Sequence, residues 1–158
     1  MPVRAEHAGY VKAVVRDLNS LGIRIDGLRI FTTVPAGPSP APGEPVPVRA
    51  ASMFVPASPR WPWFEPLDIF AGVQWDEEHG WIVEKVFELF GGRGPDRGSR
   101  CYGLDLDVVP DPTEVALHIE ALLTTSNAYR FNESQPRCRR SADHEPSLER
   151  ALAAHLPA

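Results

Sequence analysis

Titratable side chains are densest in the run Trp75-Asp76-Glu77-Glu78-His79-Gly80-Trp81. Groups held this close together shift one another's pKa values, so Glu77 or Glu78 could be a general base with His79 as its partner. The alternative is an exposed hairpin tip, in which the acids are solvated and Trp75 pairs with Trp81 across two strands. We favour the hairpin. The run also lacks the ligand spacing of a metal loop, and we expect no metal and no cofactor.

A second set of acids follows from the parity of three predicted strands, since alternate residues of a strand lie on the same face of a sheet. Residues 67–120 hold 12 acidic and 4 basic side chains. The acidic and polar members assigned to one face are Asp68, Gln74, Glu84, Glu88, Asp105 and Asp107. Clustered carboxylates attract a basic partner, so we favour partner binding or simple solvation over coordination of Mg²⁺.

Large apolar side chains share the parity of these acids, namely Phe70, Ile82, Val86 and Phe90. Both faces of the predicted sheet therefore carry apolar groups, and the second face needs a cover. The candidates for this cover are the 53–64 segment, a C-terminal helix and a second copy of the chain. If the second face stays uncovered, it marks an interaction surface.

Residues 35–66 contain ten of the 17 prolines. Because proline has no amide hydrogen, we expect a loop here rather than a central strand or a helix. The first half of this insertion is low in complexity, whereas the second half carries Trp61, Trp63 and Phe64. Rings of this size are costly to leave in water, so they either anchor a partner or close the protein's own core.

Periodicity elsewhere in the chain predicts the elements that position these residues. The predicted elements are a helix over 7–21, strands over 23–31, 67–75, 81–90 and 101–109, a helix from 112 to about 126, and a short helix over 146–156. Gly22 is placed to end the first helix, Gly27 marks a bulge or turn, and Asp111 is placed to cap the second helix. Residues 91–100 are expected to form a flexible loop.

Helices at both ends of one antiparallel sheet predict a two-layer α+β domain, because a sheet with an apolar face needs a cover. We expect about four strands, covered by N-terminal and C-terminal-side helices and interrupted by the 35–66 insertion. The predicted domain covers residues 1–127, and residues 128–158 form a polar tail with the short helix.

The 158-residue chain has a net charge of -5, and 43% of its residues are hydrophobic. These values indicate a folded acidic protein and argue against nucleic-acid binding, which favours a basic surface. No apolar run reaches the roughly 18 residues that span a bilayer, and residues 1–7 lack the apolar region of a secretory signal. We therefore expect a cytoplasmic protein with no membrane contact.

Three features resemble a small domain-of-unknown-function family common in actinobacteria. They are Tyr10-Val11 in the leading helix, Trp75-Asp76-Glu77-Glu78 turning through Gly80-Trp81, and Val109-Pro110 just before Pro112. The resemblance covers about residues 7–124 and implies a compact cytosolic α+β domain without an established activity. It supplies no catalytic or binding residues. The long insertion and the arginine-containing tail depart from the pattern of the family.

The sequence favours a non-enzymatic protein-interaction or regulatory module that binds a protein partner or forms a homodimer. The expected binding residues are Trp61, Trp63, Phe64, Phe70 and Val86. The alternative is a small-ligand-binding protein or an enzyme with an acidic and aromatic pocket between the 60–64 segment and the sheet. Its candidate polar groups are His79, Glu84, Asp105 and Asp107. Convergent carboxylates in a concave pocket would favour the enzyme, and a flat face the binding module.

Overall fold

The fold has two layers, an antiparallel sheet and a layer of helices. The computed structural model describes residues 4–33, 47–89, 97–125 and 144–155. The elements are α1 (Ala8–Ser20), β1 (Asp26–Thr33), β2 (Val48–Pro56), β3 (Asp68–Asp76), β4 (Gly80–Glu88), β5 (Arg97–Gly103), α2 (Pro112–Thr124) and α3 (Pro146–Ala153). The predicted α+β class is confirmed, with five strands in place of about four. Within the described residues, no helix is long and apolar enough to cross a membrane.

The sheet has the strand order β1-β2-β3-β4-β5, and every neighbouring pair is antiparallel. One row of register partners runs across four strands through Phe54, Gly72, Glu84 and Cys101. Because side chains of register partners point to the same face, this row fixes which residues lie together on each side of the sheet.

Helix α1 covers one face of the sheet with the apolar stripe that its sequence predicts. Its buried members include Tyr10, Val11, Val14 and Leu18. Gly22 follows the helix at φ 75°, a conformation that glycine adopts without the steric cost of a Cβ atom. The first predicted helix is thus confirmed, and Gly27 lies at a register shift between β1 and β2 as expected of a bulge.

Strand β2 was not expected, and the prediction of a loop throughout residues 35–66 is wrong for Val48–Pro56. This strand lies between β1 and β3, where it forms hydrogen-bonded ladders on both sides. Its proline comes at the last residue, and Pro47 precedes the first, so the amides between them are all available. Ala51, Met53 and Val55 alternate into the core. Residues 35–46 of the insertion, with Val34 before them, lie outside the described part of the chain.

The hairpin between β3 and β4 has the predicted register. Trp75 pairs with Trp81 and Asp76 with Gly80. The two indole rings are 6.4 Å apart between centroids, and Gly80 has φ 77°. The glycine therefore supplies the left-handed residue that a tight antiparallel connection of this kind requires.

Strand β5 begins earlier than expected, since it runs from Arg97 to Gly103 rather than over 101–109. Residues 97–100, predicted to be loop, pair with β4, whereas residues 104–109 leave the sheet. The alternation that suggested a strand has another cause: Leu104, Leu106 and Val108 pack against the core as the chain passes to α2. Residues 91–96 lie outside the described ranges.

Helices α2 and α3 complete the helical layer. Asp111 caps α2 by accepting a hydrogen bond from the amide of Thr113 at 2.9 Å, and Pro112 is the first helical residue, as predicted. The helix expected within 146–156 runs from Pro146 to Ala153. It buries Leu148 and Leu152 in the same core as α1 and the sheet.

Candidate interaction surface

The two faces of the sheet differ in what covers them. We call the face against the helices the inner face; it carries Ala51, Met53, Val55, Ala71, Val73, Trp75, Trp81 and Val83. We call the opposite face the outer face; strand register places Arg29, Phe31, Ser52, Phe54, Phe70, Gly72, Gln74, Ile82, Glu84, Val86 and Cys101 on it. All three helices contribute buried side chains to the core on the inner face.

The 57–64 segment also packs on the inner face. Trp61 and Trp63 are only 7% and 5% exposed, and Phe64 packs against the same cluster. The amide of Trp63 donates a hydrogen bond to the carbonyl of Leu123 at 3.2 Å. The segment is therefore built into the protein's own core, which was the alternative to partner binding for these rings. It does not cover the outer face.

A buried lysine holds this segment to the sheet. The Lys85 ammonium donates to the carbonyl of Trp63 at 2.7 Å, lies 4.7 Å from the centroid of its ring, and is 2.8 Å from a carboxylate oxygen of Asp68. Asp68 was predicted on the other face with Gln74. That placement is wrong because a register shift between Asp68 and Phe70 moves the carboxylate to the side of Lys85.

Aromatic side chains are exposed on the outer face. Phe31 and Phe54 are each 38% exposed, and Phe70 is half-buried with its ring centroid 5.5 Å from that of Phe54. Val86, the other predicted binding residue of this face, is 9% exposed. The expectation that apolar groups lie on both sides of the sheet therefore holds. Of the proposed covers, the 57–64 segment and α3 lie on the opposite side.

Charged and polar groups flank these aromatic rings. Arg29 on β1 lies 5.7 Å from the centroid of the Phe31 ring. On β4, Glu84 accepts a hydrogen bond from the Gln74 amide at 3.2 Å. Cys101 on β5 is the register partner of Glu84. Burial raises the pKa of the Cys101 thiol, and the negative charge of Glu84 raises it further. This thiol is therefore a poor nucleophile at neutral pH.

A groove of about 420 Å³ lies at the hairpin end of the outer face. Its walls include Phe31, Ser52, Gln74, Asp76 and His79. The Nδ1 atom of His79 is 2.9 and 3.0 Å from the two carboxylate oxygens of Asp76. One of those oxygens also accepts the backbone amides of residues 78 and 79, so the pair braces the turn.

The four polar candidates for catalysis do not share a pocket with Trp61 and Trp63. His79 is at the hairpin turn and Glu84 is on the outer face of β4, whereas Asp105 and Asp107 are exposed beyond the end of β5. The groove lies on the side of the sheet opposite to Trp61 and Trp63. Within the described ranges, no group of three or more His, Cys, Asp or Glu residues is arranged to hold a metal ion.

The acids of the hairpin turn are buried, so the prediction that they are solvated is wrong. Glu77 is fully buried and Glu78 is 4% exposed. The Glu77 carboxylate accepts hydrogen bonds from the Arg49 amide at 2.9 Å and from its guanidinium at 2.7 and 3.2 Å. Arg4 also pairs with Glu77. Across the guanidinium, Glu149 of α3 accepts two more bonds from Arg49 at 2.7 and 3.0 Å.

We call Arg4, Arg49, Glu77 and Glu149 the ion cluster. Burial alone would raise the pKa of Glu77, but the hydrogen bonds from Arg49 and Arg4 outweigh it and the pKa is lowered. The pKa of Glu149 is lowered for the same reason, by Arg49 and by the amide of Ala5. Because both acids stay ionised and fully bonded, the cluster joins α3 to the sheet and offers no general base.

Comparisons of this chain with family models, with curated proteins and with solved structures find no match. The resemblance to an actinobacterial family therefore stays a prediction.

Proposed function

We propose that this chain is a non-enzymatic interaction module that binds a protein through the outer face. One observation carries the proposal: Phe31 and Phe54 remain 38% exposed on the side of the sheet opposite to the three helices. Aromatic side chains grouped on an exposed face are typical of protein-binding surfaces, where they provide most of the binding free energy.

The chemistry of the outer face supports one kind of protein partner. Its centre is apolar, with Phe54 and Phe70 in ring contact. Arg29 lies on β1, the strand next to β2, and Glu84 lies on β4, the strand next to β3, so the two charges flank this apolar centre on opposite sides. A complementary partner therefore presents an apolar centre with an acid and a base on its two flanks.

The catalytic alternative has weaker support. The carboxylates that could serve an enzyme are spread over the turn, the outer face and the segment after β5. The carboxylates of the ion cluster are saturated by arginine, and the pKa of the Cys101 thiol is raised. A cytosolic location belongs to the same proposal, because two cysteines give no disulfide framework.

Site-specific photocrosslinking tests the proposal in cells that make the protein. A benzophenone amino acid replaces Gln74, which is exposed on β3 in the outer face. The matched control carries the same group at Leu117, which is 49% exposed on α2. We expect a discrete protein adduct from position 74, identified by mass spectrometry, and none of the same mass from position 117.

A second change separates specific capture from chance proximity. The adduct from position 74 should disappear when Phe31 and Phe54 are both replaced by serine, provided that the circular dichroism spectrum is unchanged. If irradiation gives no adduct at position 74, or gives the same adduct at both positions, the outer face is not a protein-binding surface and the proposed function fails.

A further inference from the structure

We infer that the protein partner of the outer face inserts an arginine side chain into the groove at the hairpin end of that face. This inference rests on the proposed function and names the chemistry of the partner at one point of contact. The groove of about 420 Å³ lies within the size range of ligand sites in proteins. Phe31 belongs both to its walls and to the exposed aromatic groups of the outer face, so an anchor in the groove is continuous with the proposed binding surface.

The shape of the groove follows from one row of register partners. Phe31 on β1, Ala50 on β2 and Asp76 on β3 lie side by side across the sheet. Because the middle residue has only a methyl group, the aromatic ring and the carboxylate lie on either side of a gap of about two strand spacings, roughly 10 Å. Such a gap admits one flat group that contacts the ring with its face and the carboxylate with its edge.

The walls of the groove carry negative charge. The described residues that line it include the carboxylates of Asp76 and Glu78 and the imidazole of His79, but no lysine or arginine. Arg29 lies 5.7 Å from the centroid of the Phe31 ring but is not among these lining residues, and its exposure to solvent screens its charge. Charge complementarity therefore favours a cationic occupant.

Hydrogen-bond acceptors in the groove have capacity for further donors. The Oδ1 atom of Asp76 accepts two backbone amides, whereas within the described residues its Oδ2 atom is contacted only by Nδ1 of His79, at 3.0 Å. The amide nitrogen of Gln74 donates to Glu84, which leaves the Gln74 carbonyl oxygen free in the same part of the chain. The Ser52 hydroxyl likewise has no bonded partner among the described residues. Three oxygen acceptors with unused lone pairs therefore line the groove.

A guanidinium group fits this combination better than an ammonium group. It is planar, so it can stack on the Phe31 ring, and the N–H donors at its edge match the acceptors of Ser52, Gln74 and Asp76. The ammonium of lysine is compact and strongly hydrated, and it cannot stack. The uncharged analogue citrulline keeps the shape of arginine, so a comparison of the three side chains separates charge from shape.

A nuclear magnetic resonance titration of the isotope-labelled protein tests the inference, with Nα-acetyl-L-arginine amide as the probe. We expect saturable shifts of the backbone amide signals of Ala50, Ser52 and Asp76, which lie at the groove. The dissociation constant should be about 1 mM, a strength typical of a ligand with about 15 non-hydrogen atoms. The corresponding lysine derivative should bind about threefold more weakly and the citrulline derivative about tenfold more weakly.

Charge changes at Gln74 provide an independent arm, because its side chain is exposed at the groove, whereas Asp76 also braces the turn. Gln74→Glu should lower the dissociation constant of the arginine probe by about twofold to fivefold, and Gln74→Lys should raise it by a similar factor. Glu65→Gln makes the same change in net charge as Gln74→Lys, but at an exposed site outside the sheet, and should leave the constant unchanged. Phe31→Leu keeps an apolar group without the ring and should raise the constant by about threefold.

Two kinds of result overturn the inference. One is a titration in which the arginine probe gives no saturable shift at the groove, or in which the citrulline derivative binds as tightly as the arginine derivative. The other is an equal effect of Gln74→Glu and Gln74→Lys on the binding of the arginine probe. If position 74 crosslinks to a protein in cells but the groove does not select arginine, only this inference fails and the proposed function stands. If position 74 crosslinks to nothing, the proposed function fails, and this inference fails with it even if the probe binds.

Discussion

Replacing Glu77 by glutamine should destabilise the fold more than any comparable change at an exposed acid. Glu77 is fully buried, and its carboxylate is bonded to the backbone and to the guanidinium of Arg49. The amide of glutamine has nearly the same size and retains one acceptor oxygen. The substitution therefore removes the negative charge beside a buried guanidinium with little change in packing.

The expected loss follows from what remains beside Arg49. Removing one partner of a buried ion pair costs about 3–5 kcal/mol, because the other charge stays buried without compensation. Here Glu149 still accepts two hydrogen bonds from the same guanidinium, so the lower limit applies, about 3 kcal/mol. A domain of this size has a total stability of about 5–15 kcal/mol, so such a loss is a large fraction of it.

Urea unfolding followed by tryptophan fluorescence measures this loss. All four tryptophans are buried, with exposures of 7% or less, so their emission should shift to longer wavelength when the chain unfolds. For an m value of about 2 kcal/mol per molar urea, a loss of 3 kcal/mol lowers the midpoint by about 1.5 M. The protein concentration is held constant, because a dimer would add its own stabilisation.

Two matched substitutions decide whether burial is the cause. Glu149→Gln should cost less, about 1–2 kcal/mol, because its side chain is 13% exposed and water can reach the site. Glu65→Gln, at an exposed position, should change the free energy of unfolding by less than about 0.5 kcal/mol. If Glu77→Gln costs no more than Glu149→Gln, the account of the ion cluster as a buried, compensated charge group is wrong.

Three further outcomes are expected. Burial lowers the pKa of His7, so the folded protein holds its imidazole neutral. The stability of the protein is therefore complete above about pH 6.5 and declines as the pH falls below that value. A His7→Gln variant should lack this decline between pH 7 and 5.5 when urea unfolding is measured at each pH. Tyr10→Phe removes a hydroxyl that donates to the carbonyl of Pro110 at 3.0 Å and accepts from the Trp81 indole at 2.9 Å. We expect the free energy of unfolding in urea to fall by about 1–3 kcal/mol, and an unchanged value would mean that these bonds contribute nothing. Leu152→Ala in the fully buried site of α3 should cost about 2–5 kcal/mol, whereas Leu117→Ala at a 49% exposed site should change little; equal effects would show that α3 does not complete the core.

Elements with local signals could be predicted from the sequence. These elements are the apolar stripe of α1, the cap of α2 at Asp111 and Gly80 in the turn between β3 and β4. Each depends only on residues a few positions apart in the sequence. Strand β2 was missed because the count of prolines over 35–66 hid an uninterrupted stretch from Val48 to Val55. The alternation of Ala51, Met53 and Val55 within that stretch was the signal that could have revealed it.

The charged contacts could not be predicted in the same way. Glu77 and Arg49 are 28 residues apart, and Arg49 and Glu149 are 100 residues apart. An acid at a hairpin turn is usually solvated. Nothing near Glu77 in the sequence indicates that its carboxylate is buried and paired with an arginine that is distant in the chain. The outer face was predicted more successfully because parity along a strand is a local property. The prediction is wrong at Asp68, because a register shift moves its carboxylate to the other face, and at Asp105 and Asp107, because β5 ends at Gly103 before it reaches them.

The position of α3 in the chain has a consequence for synthesis. The ribosome delivers Arg49 and Glu77 well before Glu149, so a nascent chain contains all five strands while the Arg49 guanidinium still lacks one of its acidic partners. Leu148 and Leu152 arrive with Glu149 and fill the core at the same moment. A polypeptide that breaks off before residue 144 contains the residues of all five strands but leaves the core site of Leu148 and Leu152 uncovered. Chains with destabilised folds of this kind are the ones that cellular proteases remove.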